Sequence, residues 1–474
     1  MKTYPACIGG EFRTLPDTFE VINPFNGKLI ANCSLAGTQE LEEAISLAQK
    51  VEEEMANMPS HKRSSILRGI AQGLTEQRTE LATQLAQEAA KPLKYALGEV
   101  DRAIQTYQIA SEECKRLPFE YIQLDWTPAG EGKEGLVKYF PVGLISAISP
   151  FNFPLNLTSH KIAPAIAAGC PIILKPARST PLSAIELAKI AHAAGLPKGA
   201  LSVLPMDRIA GNQLVTDNRF SLLTFTGSPQ VGWKMKEKAG KKKVVLELGG
   251  NAGVIITESA NVKKAAAKCV VGAFSYSGQV CIHTQRIYVH NSIFEEFSSA
   301  FVSLTEELKI GNPLNADTDI SAMIDEANTK RIDEWVTEAI SAGAKLIAGG
   351  KVKNGIYLPT ILTNTKPSMR VCSNEVFGPV VSIEPYENFS KAIDEVNSSA
   401  FGLQAGVFTN KLSEEQEAFS RIKIGGVIIN DTPTFRIDHM PYGGVKNSGL
   451  GREGVKYAIH NMLEPRILVR STPL

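Results

Sequence analysis

Apolar and polar positions in this chain switch repeatedly between a helical and a strand-like period. Thr38 to Glu54 and Ser60 to Lys91 carry apolar residues every three or four positions, the spacing of one buried helix face, and Pro92 marks the end or a kink of the second segment. Leu144 to Ile148 and Pro171 to Lys175 are short apolar runs of strand length, with a helical stretch around Ile162 to Ala168 between them. Ser183 to Ala194 predicts a helix stopped by Gly195 and Pro197, Leu222 to Phe225 a strand, and Pro229 the start of another helix. Strand, helix, strand in that order implies parallel pairing with crossovers on the sheet faces. A second such series begins at Ile255, with a helix leading to Ser275, a strand over Arg286 to Val289 and a helix over Ile293 to Leu308. The pattern therefore predicts an α/β chain of two parallel-sheet domains meeting near Gly249. Phe119 to Phe140 interrupts it, and with Pro128 and three glycines reads by pattern alone as a loop.

Length and composition narrow the class. A chain of 474 residues exceeds one ordinary core and implies two or three domains. With 43% hydrophobic and 21% charged residues it has the balance of a globular protein. Its formal charge of +1 gives no reason to expect nucleic acid or an anionic membrane as partner. The most apolar stretch, Ile162 to Leu174, is interrupted by Pro164 and Pro171 and falls short of the roughly 20 residues that span a bilayer. The N-terminus has no apolar run of the secretory kind, and seven cysteines without a pairing pattern suit a reducing cytoplasm. No CxxC or HExxH is present, so no metal is expected.

The chemistry concentrates on Cys281, in Ser277-Gly-Gln-Val-Cys281, and on Glu247, in Glu247-Leu-Gly-Gly250. A thiolate can attack an electrophilic carbon, and a carboxylate can activate the water that releases the product. Taken singly, the same residues read as a buried cysteine and as a strand end at a turn. Asn152 lies between prolines, where it is equally a turn residue, and Lys175 closes an apolar strand, where it is equally a solvated end. Gly227 and Ser228 follow a strand and precede Pro229, which suits a helix N-terminus able to hold a pyrophosphate. His283, two residues beyond Cys281, is an alternative base or a pocket wall.

Taken together, Ser149-Pro-Phe-Asn-Phe-Pro154, Lys175-Pro176, Phe225-Thr-Gly-Ser228, Glu247-Leu-Gly-Gly250, Gly278-Gln-Val-Cys281, Glu375-Val-Phe-Gly-Pro379 and Pro441-Tyr-Gly-Gly-Val-Lys446 form an ordered series that resembles the aldehyde dehydrogenase superfamily, from about Val21 to about Glu464. The branch it most resembles acts on lactaldehyde, phosphonoacetaldehyde and glyceraldehyde 3-phosphate. The resemblance implies an aldehyde dehydrogenase-like fold: a Rossmann-like cofactor domain over 1–118 and 141–248, a catalytic domain over 249–455, and a β-hairpin oligomerisation element over 119–140 and 456–474. It also implies assembly as a homodimer or homotetramer. It makes Cys281 the nucleophile, Glu247 the base for the hydrolytic water, and Asn152, with the backbone N–H of Cys281, the donors to the oxyanion. It assigns NAD or NADP to Ser149, Pro150, Phe151, Lys175, Arg178, Gly227, Ser228, Leu248, Gly249, Glu375 and Phe377. No GxGxxG turn is present, as in the family resembled.

Arg178 and Ser179 favour NADP or dual use, since an arginine can pair with a 2′-phosphate, although an arginine here can equally point to solvent. His160 and Arg436 are candidate contacts for a hydroxyl or anionic group of a small polar aldehyde, with a loop ion pair to Asp438 as the other reading of Arg436. Val280, where anion-binding relatives can carry arginine, weighs against a phosphate or phosphonate. Two other functions stand beside hydrolytic oxidation. Transfer of the acyl group to CoA is disfavoured because such relatives typically lack the glutamate at Glu247, and a silent binding homologue is disfavoured by the full catalytic set.

Overall fold

The computed structural model describes residues 2–471. Its largest sheet has eight strands in the order Gly449–Leu450, Lys243–Glu247, Leu222–Thr226, Ile145–Ile148, Ile172–Lys175, Leu201–Val203, Ala6–Ile8, Glu11–Arg13. The five strands from Lys243–Glu247 to Leu201–Val203 are parallel. They are nearly continuous apolar runs because helices cover both faces, leaving no polar side to alternate with. Strand order reverses between Ile145–Ile148 and Leu222–Thr226, so the crevice beyond their carboxyl ends is a topological switch point, where open α/β sheets bind ligands.

A second sheet of seven strands runs Lys345–Ala348, Thr360–Thr363, Val380–Tyr386, Thr284–His290, Ala252–Ile256, Gln404–Phe408, Gly426–Ile429, parallel except at its first pair. It is built from the chain beyond Gly250, whereas Gly449–Leu450 returns to pair antiparallel with the Glu247 strand on the first sheet. A third sheet projects from the body. Phe119–Gln123 and Lys133–Pro141 form an antiparallel hairpin, and Leu463–Ser471 pairs along the whole of Lys133–Pro141, the central strand, from Leu463 opposite Pro141 to Ser471 opposite Lys133. This is the hairpin that the family resemblance implies, where pattern alone reads a loop. Pairing with a partner more than 300 positions away stabilises it, and no local signal reports such a partner.

Two helices differ from the periodic reading. Ser60 to Lys91 is two helices, Ser60–Glu76 and Arg78–Ala89, parted at Gln77 and ended by Ala90 in the left-handed region at φ 48°. The stretch around Ile162 begins earlier, at Asn156, and runs through Pro164 to Ala168. Every residue of that helix is buried, so it has no solvent face to reveal its period. Its polar residues are instead satisfied inside. Thr158 donates to Ser149, Ser159 to the Leu155 carbonyl, and Lys161 to Thr224 and Thr226 at 3.0 and 2.8 Å. No described helix is long and apolar enough to cross a membrane.

Candidate active site

The carboxyl ends of the first sheet carry most of the expected ligand-binding residues. Ser149 follows Ile145–Ile148, with Pro150 and Phe151 half-buried beyond it, and the Ser149 N–H donates to the Lys175 carbonyl at 3.2 Å. Lys175 ends its own strand with its stem against Gly211, where a Cβ would come within 3.0 Å. Its ammonium makes no hydrogen bond among the described residues, and burial holds its pKa below the usual lysine value. A half-sheltered cation without a partner is what a ribose hydroxyl or phosphate would satisfy. Gly227 and exposed Ser228 lead into the helix Pro229–Lys238, whose first turn has no side-chain cap. Arg178 is exposed, its guanidinium 4.8 Å from the centre of the Phe19 ring.

Glu375 crosses from the second sheet's side to the turn after Glu247. Its carboxylate accepts from the Gly250 N–H at 2.9 Å and lies where a Cβ on Gly249 would come within 2.0 Å. Gly249 is needed for that approach, whereas a Cβ on Gly250 would meet the Cys281 carbonyl at 2.2 Å. Burial raises Glu375 to about 7, against the Gly250 N–H and Arg331, which lower it. Phe377, at φ 50°, packs edge-on to Phe151 at 5.8 Å, and Leu248 fills the space left by Gly232. The residues proposed for the dinucleotide thus gather on one rim of the switch-point crevice, and their donors fit such a ligand.

Cys281 is presented by a tightly constrained turn. Tyr276, Ser277 and Gly278 all have positive φ, at 52°, 53° and 69°. Each non-glycine residue in that region costs on the order of 1–3 kcal/mol, so the surroundings must hold it. Tyr276 donates to the Ala89 carbonyl, Ser277 to the Ser321 carbonyl at 2.8 Å, and Gly278 packs where a Cβ would meet the Gly378 carbonyl at 2.2 Å. Asn152 ties itself to the same turn, donating to the Gln279 carbonyl at 2.9 Å. A primary amide has two N–H bonds, so one remains. The backbone N–H of Cys281 makes no hydrogen bond among the described residues, so this turn and the asparagine tied to it each keep an N–H to donate. The partner of Cys281 Sγ is Tyr442, 2.9 Å away, and not His283. His283 is buried and pushed down to about 4 by that burial, so it is neutral near pH 7.

Glu247 ends its strand almost fully buried, and neither carboxylate oxygen finds a hydrogen bond. Burial first, then the charge of Glu453, raises it well above the usual carboxylate range. Around it lies a buried charged cluster. Lys161 sits 3.4 Å from Glu453, and Arg436 donates to the other Glu453 oxygen at 3.1 Å with its guanidinium 3.6 Å above the centre of the Tyr442 ring. Nε of Arg436 is buried without a partner. The alternative ion pair of Arg436 with Asp438 gives way to this arrangement, because Asp438 receives Arg102 and His160, each at 2.7 Å. His160 is fully buried against Asp438 and does not face Cys281; only its Nδ1 is unpaired. No pattern in the sequence marks Tyr442, Glu453 or Lys161 individually; Tyr442 lies within Pro441-Tyr-Gly-Gly-Val-Lys446, but only the fold shows what its hydroxyl touches.

Residues 13–468 match the aldehyde dehydrogenase family. The chain is 43% identical to a 3-sulfolactaldehyde dehydrogenase of Priestia aryabhattai over 99% of its own length and 98% of the relative's. The crystal structure of aldehyde dehydrogenase 21 from Physcomitrella patens, in complex with the reaction product succinate, superposes with a TM-score of 0.98 at 42% identity, covering 99% of this chain and 98% of that one. A glyceraldehyde-3-phosphate dehydrogenase from Methanocaldococcus jannaschii, solved with NADP, superposes at 0.92 with 38% identity, covering 96% of this chain and all of the other. A cysteine on a constrained turn, an unpaired buried carboxyl at Glu247 and a lysine without a partner at a strand's carboxyl end agree with these likenesses, and the chain belongs to the aldehyde dehydrogenase family, whose members oxidise aldehydes with NAD(P).

Proposed function

We propose that this enzyme oxidises a short, polar aldehyde to its carboxylic acid, with Cys281 as nucleophile, Asn152 and the Cys281 N–H as oxyanion donors, and Glu247 as the hydrolytic base. The observation that carries the reading is a half-buried thiol on a turn to which Asn152 is tied, a turn packed through the Cys281 carbonyl against Gly250 of the segment that begins with the unpartnered Glu247 carboxyl. Cys281 Sγ bonds to the aldehyde carbon, and the carbonyl oxygen takes the negative charge between the two donors. Such donors are worth about 3–4 kcal/mol each because they are oriented before the charge appears. NAD(P) bound along the rim of Ser149, Pro150, Phe151, Lys175, Gly227, Ser228, Leu248, Gly249, Glu375 and Phe377 supplies the hydride acceptor. Cys281 then carries the acyl group as a thioester. Glu247 takes a proton from water as the water oxygen bonds to the acyl carbon, and the bond to Cys281 breaks.

Arg178 beside Lys175 supports use of NADP as well as NAD. The first sheet with residues 1–118 and 141–248 would carry the cofactor, and residues 249–455 the nucleophile. Residues 119–140 and 456–474 would join subunits into a homodimer or homotetramer; Met1 and residues 472–474 lie outside the described part. In that third sheet Phe119, Tyr121, Ile467, Leu468 and Val469 are each about half exposed or more, apolar surface that a second copy would cover. Free thiols at all seven cysteines support a cytoplasmic setting.

Substrate choice rests on Arg436. Its unpaired Nε and its position over Tyr442 put a cation with a spare donor near the reacting sulfur, which favours a hydroxyl or acid group a few atoms from the carbonyl. Hydrogen bonds to charged groups contribute about 1.5–3 kcal/mol, or roughly 10- to 150-fold. Measuring kcat/KM for lactaldehyde and succinic semialdehyde against propanal and butanal, with NAD and NADP in parallel, tests this. An advantage of tenfold or more for the polar aldehydes is expected. Equal rates, or faster turnover of the apolar ones, would overturn it.

A further inference from the structure

We infer that Tyr442 is a catalytic residue, its phenolic O–H donating to the Cys281 thiolate as it forms and easing its ionisation, with Arg436 over its ring strengthening that donor. The inference rests on the reading of Cys281 as nucleophile. Tyr442 is buried, and its hydroxyl is the hydrogen-bond partner of Cys281 Sγ at 2.9 Å. Its backbone is clamped by a two-way bridge to Glu453, with N–H to carbonyl distances of 3.0 and 2.6 Å. The Glu453 side chain in turn holds Arg436, which closes the loop by lying 3.6 Å over the Tyr442 ring. The hydroxyl therefore has little freedom to leave the sulfur.

The site otherwise works against ionisation. Burial, with the charges of Glu375 and Glu247, raises the Cys281 thiol, and the groups facing it that oppose this and favour the thiolate are Tyr442 and Arg436, for a net value of about 11. A cation on the π face draws density from the ring, which makes the O–H more acidic and a better donor. Tyr442 itself stays protonated, held well above its usual pKa by burial and by Cys281. Once sulfur has bonded to carbon it carries no charge, so this hydrogen bond is strong only while the nucleophile waits.

The test is the pH dependence of Cys281 alkylation by iodoacetamide, followed by peptide mass mapping in the intact enzyme without aldehyde or cofactor. Sulfur displaces iodide, and the thiol proton goes to solvent. Tyr442→Phe removes one oxygen and is expected to raise the midpoint by about one pH unit. A tenfold loss of thiolate is partly offset by higher intrinsic nucleophilicity, with a Brønsted slope near 0.4–0.5. The rate at pH 7 should fall about threefold and the high-pH plateau should rise about threefold. A merely structural role predicts a lowered plateau and an unmoved midpoint, and that result overturns the inference. If Tyr442→Phe does not fold, 3-fluorotyrosine incorporated at Tyr442 decides the matter, since a more acidic phenol must lower the midpoint. Aldehyde oxidation that survives Cys281→Ser would instead remove the nucleophile reading itself, whatever the midpoints do.

Discussion

Replacing Glu247 by glutamine keeps the shape of the side chain and removes its ability to take a proton. General bases contribute about 10²- to 10⁴-fold. The site argues for the lower end, because burial and then the charge of Glu453 raise the Glu247 carboxyl above the usual carboxylate range and so reduce the share available as base. Each pH unit below its pKa leaves tenfold less base, so the parent enzyme's thioester hydrolysis should quicken roughly tenfold per pH unit until Glu247 has ionised. The amide of Glu247→Gln has the size of the carboxyl and can carry no charge into the buried site, so the fold should be kept. Stopped-flow recording of NAD(P)H at several pH values is the assay. We expect the variant to give a burst of one equivalent per site, followed by turnover at least 100-fold slower than the parent's. Its pH slope should be flatter. A variant with the parent's steady rate and pH slope would refute Glu247 as the base.

Two further outcomes follow from the rim. Arg178→Ala should lower kcat/KM for NADP about tenfold and leave NAD nearly unchanged, the small end of a charge-assisted bond because the guanidinium is exposed; a constant NADP to NAD ratio would place it in solvent only. Gly249→Ala should drive the Glu375 carboxylate away, since the new Cβ would come within 2.0 Å of it, and raise the cofactor KM tenfold or more. Alkylation of Cys281 should be unaffected, and an unchanged cofactor KM would contradict the contact.

Much of this was legible from the chain because its signals are local. The runs at Ile145, Ile172 and Leu222 are short, apolar and punctuated, and their order alone implies a parallel sheet with residues at its carboxyl ends. Cys281, Glu247 and Asn152 could be picked out because they sit in ordered motifs, and the fold ties Asn152 to the turn that carries Cys281. The missed features depend on distant partners. Asn156 to Lys161 looks irregular until Ser149, Thr224, Thr226 and Asp438 arrive to satisfy its polar side chains. Phe119–Gln123 looks like loop until Leu463–Ser471 completes its sheet. The stack of Arg436 on Tyr442 joins residues only six apart, yet their meeting requires the bridge to Glu453, and Asp438 rather than Arg436 takes up His160.

The most direct test of the account is the intact mass of the enzyme quenched in acid within one turnover of aldehyde and NADP. Glu247→Gln should carry one acyl group, mapped to the peptide containing Cys281, and the same variant with Cys281→Ser should carry none while still binding cofactor. An acyl group on any other residue, or NADPH produced at the parent rate without Cys281, would contradict it.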